Sequence, residues 1–444
     1  MKKEQLILFY INALGAMAYS LIAPLFPPLF KERGIENLIV SFLIVIICTT
    51  NIISAIFCSY FSQKFGQLNL FLFCVIGQSF CTFFYGFSVF IKNNNLFIFL
   101  GFLNRLFHGF CVGILNVVSF SITSGINKGK ELERASAYME LSWGVGLTIG
   151  PAIIGILFRF GGYFLPFFII GLLSLSGVYY CYFILYKSDL NTQEIEKGNE
   201  MDNNEENNNK NSYYLKAIKY PPTILFSLSL IIELNTLDFY VPTLVNYLKE
   251  DFNISTSNAS LFFLMSTIGY IICTQLINKI TDYFANHKII FYSLFFGAFC
   301  CLFIAPADFL PHNYIFIILG IFLEGFTQGL INVTGFIELS NIGKVLFPNN
   351  KRLMNDIPSS FFNVSFYIGE LFEPVLGSLI TKKYNFQMSA YFSCFLSICF
   401  GIIFGCYFHK EINSIKVNKK DNYEELMIKK KLSNINQINE NIIN

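Results

Sequence analysis

The sequence predicts an all-α membrane protein with twelve transmembrane helices in two pseudo-symmetric six-helix bundles. Three observations lead to this prediction: the composition, the number of long apolar segments, and an internal repeat. Of the 444 residues, 54% are hydrophobic and only 14% are charged, whereas a soluble domain carries roughly 25% charged residues. Such a chain is stable in a lipid bilayer, where one helix needs about 20 apolar residues to cross.

The long apolar segments form two sets of six. The first set lies near residues 6–30, 38–61, 68–91, 96–125, 135–158 and 163–186. The second set lies near residues 221–247, 259–278, 288–307, 313–337, 357–381 and 387–408. The first apolar run is too long for a cleavable signal peptide, so we predict that it is the first span.

Polar stretches mark the boundaries between the predicted units. We predict a first six-helix bundle over 1–187, a cytoplasmic linker over 188–218, a second bundle over 219–410 and a cytoplasmic tail over 411–444. The linker is rich in Asn and Glu and low in complexity, which predicts disorder.

Three motifs recur in chain order at nearly the same offset. In the first pair, His108-Gly109-x3-Gly113-x2-Asn116 matches Glu324-Gly325-x3-Gly329-x2-Asn332. In the second pair, Gly146-x3-Gly150-Pro151 matches Gly369-x3-Glu373-Pro374. In the third pair, Pro24-x6-Lys31-Glu32 matches Pro242-x6-Lys249-Glu250. Two parallel six-helix repeats place a substrate site at mid-membrane between the halves. We therefore expect two superposable bundles related by an axis along the membrane normal.

The distribution of basic residues predicts the orientation. Most of the 31 Lys and Arg residues fall on one side if both termini are cytoplasmic, and the short loops Lys128–Arg134 and Lys344–Arg352 agree. Loops rich in Lys and Arg stay in the cytoplasm. Sequons at Asn253 and Asn258 then lie on the far side, where either residue is a candidate for glycosylation.

Several classes of protein are excluded by what the sequence lacks. The net charge of +2 gives no basic field for nucleic acid. No Gly-rich loop followed by Lys-Ser/Thr and no Gly-x-Ser-x-Gly elbow is present. The twelve cysteines fall in apolar runs without metal-ligand spacing, so we interpret them as small buried hydrophobic residues. We predict no enzyme activity, no cofactor and no metal site.

Motifs in the fourth, fifth, seventh and tenth segments resemble a known family. Glu140-x5-Gly146-Leu147-x2-Gly150-Pro151-x3-Gly155 is similar to the fifth-span motif of the drug:proton antiporters of the major facilitator superfamily. Arg105-x2-His108-Gly109 resembles the fourth-span motif, whose Arg is implicated in proton coupling. Val241-Pro242-Thr243-Leu244 and Phe336-Ile337-Glu338-Leu339 resemble the polyamine branch of the vesicular amine transporters.

This resemblance implies roles for individual residues and a location. Arg105 and His108 would take part in proton coupling, and Gly146, Gly150, Pro151 and Gly155 would form a conformational motif. A vesicle or another endomembrane is favoured over the plasma membrane. We expect the protein to act as a monomer, with a small-molecule cation, protons and the lipid bilayer as its partners.

The sequence also departs from the family pattern. The loop after the second span usually reads Gly-x3-Asp-Arg-x-Gly-Arg-Arg, and here it is Ser59-x3-Gln63-Lys64-x-Gly66-Gln67-Leu68. The monoamine branch carries an acid where Asn363 aligns, and residues 6–30 contain no acid. The polyamine branch therefore fits better than the monoamine branch.

Acidic residues within the spans are the main candidates for the site, because a charge inside the bilayer is costly and is usually functional. The candidates for substrate or proton binding are Glu140, Glu233, Asp238, Glu324, Glu338, Asn363, Glu370 and Glu373. Only Arg105 and His108 oppose them. This excess of acids favours the binding of a cation and of protons.

Each candidate also has a structural interpretation. Glu324 could bind substrate or protons, or it could be a neutral acid hydrogen-bonded between helices. Glu338 could be an interfacial acid, and His108 a packing residue. Glu233 and Asp238 point away from each other, so we favour Asp238 alone facing a cavity. Glu373 could line the cavity or close it.

Arg105 needs a counter-charge, because it is deep in its span. Glu140 is the predicted partner, since it is the only acid within the first-half spans.

The sequence thus predicts a proton-coupled secondary transporter that exchanges a small organic cation, of the amine or polyamine class, by alternating access. One alternative is a facilitator or symporter of a neutral or anionic nutrient. The other is a non-transporting, transporter-like receptor or scaffold.

Overall fold

In the computed structural model, the described residues are 3–21, 25, 29–30, 32–35, 37–186, 210–241, 243–254, 261–307 and 310–413. Over these residues the chain forms fifteen α-helices and one π-helical turn, and no strand. The first half contains α1 (Lys3–Ser20), α2 (Asn37–Phe65), α3 (Gln67–Ser88), α4 (Asn94–Ile126), α5 (Lys130–Gly161) and α6 (Phe164–Tyr180), which continues as the π-turn Cys181–Tyr186. A short helix, α7 (Lys210–Ile218), precedes the second half. The second half contains α8 (Pro221–Asp238), α9 (Leu244–Phe252), α10 (Phe263–Tyr283), α11 (Asn286–Ile304), α12 (Tyr314–Leu346), α13 (Lys351–Lys383), α14 (Phe386–Tyr407) and α15 (His409–Asn413).

Asparagine side chains begin four of the long helices. Asn93, Asn313, Asn350 and Asn385 are the N-caps of α4, α12, α13 and α14, and each side chain accepts a hydrogen bond from a backbone N–H of the first turn. Such caps satisfy donors that the helix itself leaves unpaired.

Eight helices within the described part of the chain are long and apolar enough to cross a membrane. The other four helices of comparable length are α1, α5, α8 and α13. Of these, α5, α8 and α13 carry Glu140, Glu233 and Glu370 in their interiors. Three of the four less apolar helices therefore carry predicted site residues.

Within the described residues the helices follow the predicted segments, with two differences. The first segment, 6–30, is helical in α1 only as far as Ser20, and the seventh segment is interrupted. The predicted seventh segment, 221–247, is divided, because α8 ends at Asp238 and a separate helix begins at Leu244. Pro242 lies in this interval, and a proline cannot supply the N–H that a continuous helix needs.

The linker contains a folded helix. Residues 187–209 lie outside the described residues, but Lys210–Ile218 forms α7. The prediction of disorder is therefore wrong for these nine residues. The reason is tertiary contact, because Ala217 of α7 is buried in an apolar cluster with Phe347, Leu353 and Ile357.

The internal repeat is visible in how the helices pack. Gly109 and Gly113 of α4 are pressed against α2, where a methyl group would collide with Thr50 and Ser54. Their repeat counterparts, Gly325 and Gly329 of α12, are pressed in the same way against α10. Small residues permit this close approach of membrane helices. Equivalent glycines thus join equivalent helix pairs.

A second pair of equivalent contacts joins the outer glycine motifs. Gly146 of α5 packs on Ala13 and Ala16 of α1, and Gly369 of α13 packs on Leu234 of α8. Between the halves, α2 contacts α13 as α10 contacts α5, and α4 contacts α13 as α12 contacts α5. The predicted fold, two pseudo-symmetric six-helix bundles, is confirmed.

Candidate substrate cavity between the halves

A cavity of about 530 Å³ lies between the two halves. The terminus face is the end of the bundle at which α1 begins and α14 ends. The other end is the opposite face. The lining residues are Glu140, Leu141, Trp143, Gly144, Leu147, Leu234, Tyr240, Val241, Phe263, Leu264, Ser266, Thr267, Tyr270, Gln328, Phe366 and Glu370. They run from the middle of α5 and α12 to the last residues of α8 and the first residues of α10. The cavity therefore extends from mid-height toward the opposite face.

Two carboxylates face this cavity, one from each half. Glu140 belongs to α5 and Glu370 to α13, and no Lys, Arg or His is among the described lining residues. Glu140 is the repeat counterpart of Asn363, which lies seven residues before Glu370 on α13. At 1.5 Å per residue the two carboxylates are offset by about 10 Å along the bundle.

Aromatic rings form much of the remaining wall. Trp143, Tyr240, Phe263, Tyr270 and Phe366 line the cavity, and the rings of Tyr240 and Phe263 are stacked with centroids 6.1 Å apart. An aromatic face attracts an organic cation as well as apolar carbon. Among the described side chains, no group of three His, Cys, Asp or Glu residues could hold a metal ion.

A second, much smaller cavity lies directly below the first. Glu140 and Trp143 line both, and Asn12, Asn116, Asn363 and Tyr367 complete the smaller one. Asn116 Nδ2 donates to the Tyr367 hydroxyl at 2.6 Å, which joins α4 to α13 across the halves. This is where the structure places the predicted residue Asn363.

The position of α5 at this level is fixed by a buried amide. Asn12 Nδ2 of α1 donates to the carbonyl oxygen of Met139 and to Ser142 Oγ, both at 2.9 Å. These residues flank Glu140, so α1 holds the turn of α5 that carries the carboxylate.

Aromatic packing closes the path toward the terminus face. Phe120 of α4 packs on Phe336 of α12 and Phe362 of α13, with centroids 4.9 Å away in both cases. Phe336 and Phe362 are 5.2 Å apart. These three rings come from both halves and lie below the smaller cavity.

Polar contacts between the halves follow at the terminus face. Asp356 of α13 accepts hydrogen bonds from Gln67 Nε2 at 3.1 Å and from Ser121 Oγ. Lys130 pairs with Asp282. Sequence reasoning missed Asp356, because it was assigned to the loop before the eleventh span. Its place on a helix face with Ser359, Ser360 and Asn363 was the available signal.

The predicted acids of the second half do not all reach the cavity. Glu324 is fully buried within the second half, where its Oε1 accepts a hydrogen bond from Thr236 Oγ1 at 2.5 Å. Glu233 is buried one turn away on α8, and Glu338 accepts from Asn286 Nδ2 at 2.7 Å near the terminus face. None of the three lines the cavity. The geometry of Glu324 matches the alternative interpretation, an acid hydrogen-bonded between helices.

Arg105 and His108 are buried inside the first half. Arg105 Nε donates to the carbonyl oxygen of Leu43 at 3.1 Å, and its guanidinium lies over the Tyr19 ring at 5.6 Å. His108 packs against Tyr85, with ring centroids 6.0 Å apart. The predicted ion pair of Arg105 with Glu140 is not formed between these two described side chains, because Arg105 points toward α1 and α2 instead.

Two glycines of the predicted conformational motif pack against α1. Gly150 lies against Ser20 as Gly146 lies against Ala13, both on α1. The surroundings of Pro151, Gly155, Asp238 and Glu373 are not among the described features, so the predictions for these residues remain predictions.

Two helical bundles around a cavity that is lined by aromatic rings and two carboxylates are typical of a multi-pass membrane transporter. Residues 8–352 and 247–434 match the Major Facilitator Superfamily. The chain belongs to this superfamily, and it is a transporter rather than an enzyme.

Individual relatives agree with the predicted resemblance. The chain is 21% identical over 434 residues to the MFS-type transporter SLC18B1 of Rattus norvegicus. The aligned residues are 95% of this chain and 90% of the relative. It is 22% identical to the proton-coupled antiporter flippase LtaA of Staphylococcus epidermidis, over 69% of this chain and 71% of that protein. The solved structure of FucP in the outward conformation matches with a TM-score of 0.69 and 14% identity, over 91% of this chain and 99% of that chain.

Proposed function

We propose that the protein is a proton-coupled antiporter that exchanges a small organic cation for protons by alternating access. The observation that carries the proposal is the cavity into which each half contributes one carboxylate, Glu140 and Glu370, with no described basic residue. A carboxylate away from bulk water needs a proton or a cation to balance it. Proton and substrate therefore compete for the same groups, and this competition couples their movements.

The shape of the cavity supports an elongated amine of the polyamine type. Glu140 and Glu370 are offset by about 10 Å along the bundle, so one molecule with two separated ammonium groups can reach both. The rings of Trp143, Tyr270 and Phe366 line the intervening wall. They would contact the methylene carbons and face the ammonium groups.

The two rival functions fit the cavity less well. An anionic substrate would meet two carboxylates and no described cation in the lining. A scaffold without transport needs no cavity, whereas this one holds about 530 Å³. A neutral substrate remains an outcome that the experiment below separates.

We also propose an orientation and a location. Lys130, Lys216 and Lys351 lie at helix ends on the terminus face, which supports a cytoplasmic terminus face. We place the protein in a vesicle or another endomembrane, where a proton gradient drives uptake of the cation, and we expect a monomer to be sufficient.

The test is proton movement in reconstituted vesicles. An imposed pH gradient is followed with an internal pH-sensitive dye while diamines, monoamines, sugars and organic anions are added in turn. The wild-type protein is expected to dissipate the gradient with amines only. Glu140→Gln and Glu370→Gln each remove a charged partner worth about 1.5–3 kcal/mol, so the apparent affinity for the amine should fall about ten- to a hundredfold.

Glu131→Gln is the matched control, because Glu131 is an exposed acid on the same helix as Glu140. It should behave as the wild-type protein does. Proton movement driven by sugars or anions would replace the proposal with nutrient transport. Absence of any substrate-dependent proton movement in folded protein would favour the scaffold.

A further inference from the structure

The short helix α7 lies across the boundary between the halves at the terminus face. The Tyr214 hydroxyl donates to Ser360 Oγ of α13 at 3.2 Å. It is also 3.0 Å from Ser59 Oγ of α2. Because α2 belongs to the first half and α13 to the second, one hydroxyl bridges the two halves.

Other described side chains of α7 are anchored to the second half. Ala217 is buried with Phe347, Leu353 and Ile357. Lys216 Nζ donates to the carbonyl oxygen of Leu346 at 2.8 Å. Tyr214 is therefore the point at which a helix fixed on the second half reaches the first half.

Beneath Tyr214 lies the layer of polar contacts around Asp356. Cys58 of α2 is fully buried there, close enough to both Asp356 and Tyr214 to interact with them electrostatically. Burial raises the pKa of Tyr214, so its hydroxyl stays protonated and can donate to one serine while it accepts from the other. Tyr214 thus covers the layer in which Asp356 bonds with Gln67 and Ser121.

We propose that Tyr214 makes α7 a strap that holds the terminus face closed and thereby sets the balance between the two access states. Opening this face requires α2 to move away from α13, and the Tyr214 hydroxyl cannot then bond with both serines. The strap stabilises only the closed state, so removing it shifts the population toward the open one.

Cys58 provides a native reporter for the test. The full-length protein in detergent is treated with N-ethylmaleimide, and the modified fraction of each cysteine is followed over time by mass spectrometry. Cys406 is exposed and serves as the internal reference. Tyr214→Phe keeps the ring but removes the hydroxyl, and we expect the labelling of Cys58 relative to Cys406 to become about five- to tenfold faster.

Tyr213→Phe is the matched control, since Tyr213 is the exposed neighbour on the same helix. In the Tyr213→Phe variant, Cys58 should be labelled at the same rate as in the wild-type protein. Ser360→Ala removes only the partner on α13 and should accelerate labelling as Tyr214→Phe does, which gives a second route if one variant does not fold. An unchanged rate in both Tyr214→Phe and Ser360→Ala, or an equal increase in Tyr213→Phe, would overturn the strap. No substrate is present, so this result is independent of whether amines are transported.

Discussion

At the scale of single residues, burial separates the acidic side chains into two groups with different chemistry. Glu140 and Glu370 line the cavity, whereas Glu324 has 0% exposure and bonds with Thr236 inside the second half. The repeat explains this placement, because Glu324 is the counterpart of His108, which is equally buried inside the first half. Both positions face the interior of their own bundle.

Arg105 gives a residue-scale prediction about coupling. Its guanidinium bonds with the Leu43 carbonyl and lies over the Tyr19 ring. Lysine keeps the charge but cannot form this planar arrangement. Arg105→Lys should therefore change the number of protons moved per substrate more than it changes substrate affinity, and both quantities can be measured in the same vesicles.

The control for Arg105→Lys is Tyr19→Phe, which keeps the ring beneath the guanidinium. A normal proton-to-substrate ratio in Arg105→Lys would leave Arg105 as a packing residue. An altered ratio in Tyr19→Phe alone would assign the coupling to the hydroxyl of Tyr19 instead.

At the scale of helices, the glycine contacts determine how closely α10 and α12 approach. A methyl group on Gly325 would collide with the carbonyl oxygen of Ser266, which is backbone and cannot rotate away. Gly325→Ala should destabilise the fold by about 1–3 kcal/mol despite the better helix propensity of alanine. Loss of monodisperse protein on heating in detergent measures the effect.

Gly101→Ala is the comparison for this variant, because nothing lies within 4 Å of the added methyl group on α4. It should match or exceed the wild-type stability. Equal stability of Gly325→Ala and the wild-type protein would show that α10 and α12 can separate without cost.

The elements that were predicted correctly are those governed by composition and repetition. Twelve apolar segments and three recurring motifs specify the helices, because a bilayer requires each backbone segment to satisfy its own hydrogen bonds. The helix α7 could not be predicted in the same way. Its residues Lys210–Ile218 are polar, and the helix is held by tertiary contacts of Tyr214 and Ala217.

The candidate site was predicted only in part, for a related reason. Position along a helix gives the depth of a residue but not the neighbour that its side chain meets. Glu140 and Glu370 were found by their charge, and Asn363 by its alignment. The direction of Arg105 toward Leu43, and the role of Asp356 between the halves, depend on contacts across helices that no motif encodes.

At the scale of the whole molecule, the pseudo-symmetry makes a prediction about where the acid can reside. Asn363 of α13 is the counterpart of Glu140 of α5, and both line the smaller cavity between the halves. Glu140→Asn should weaken amine-dependent proton movement as Glu140→Gln does. Adding Asn363→Glu to that variant transposes the carboxylate across the axis and should restore a measurable part of the transport rate.

Asn363→Glu alone is the companion variant, and it should bind the amine more tightly but release it more slowly, because it adds a third carboxylate. If the double variant folds but does not recover transport, the two positions are not interchangeable. The carboxylate would then be required on α5 itself.

The pair of carboxylates also has a consequence for membrane voltage. When the cavity holds two protons or a substrate with two positive charges, the net charge of the two carboxylates and their ligand is zero. The membrane potential then does no work on this net charge as the halves rearrange. Under the proposed exchange, an empty cavity with Glu140 and Glu370 both ionised would carry two negative charges, and each would cost or gain about 2.3 kcal/mol per 100 mV if it crossed the full potential. The unloaded protein would also have to bury both charges behind the closing helices. Under the proposed exchange, the empty state would therefore be the one that does not cycle, and electrostatics would suppress a leak without exchange.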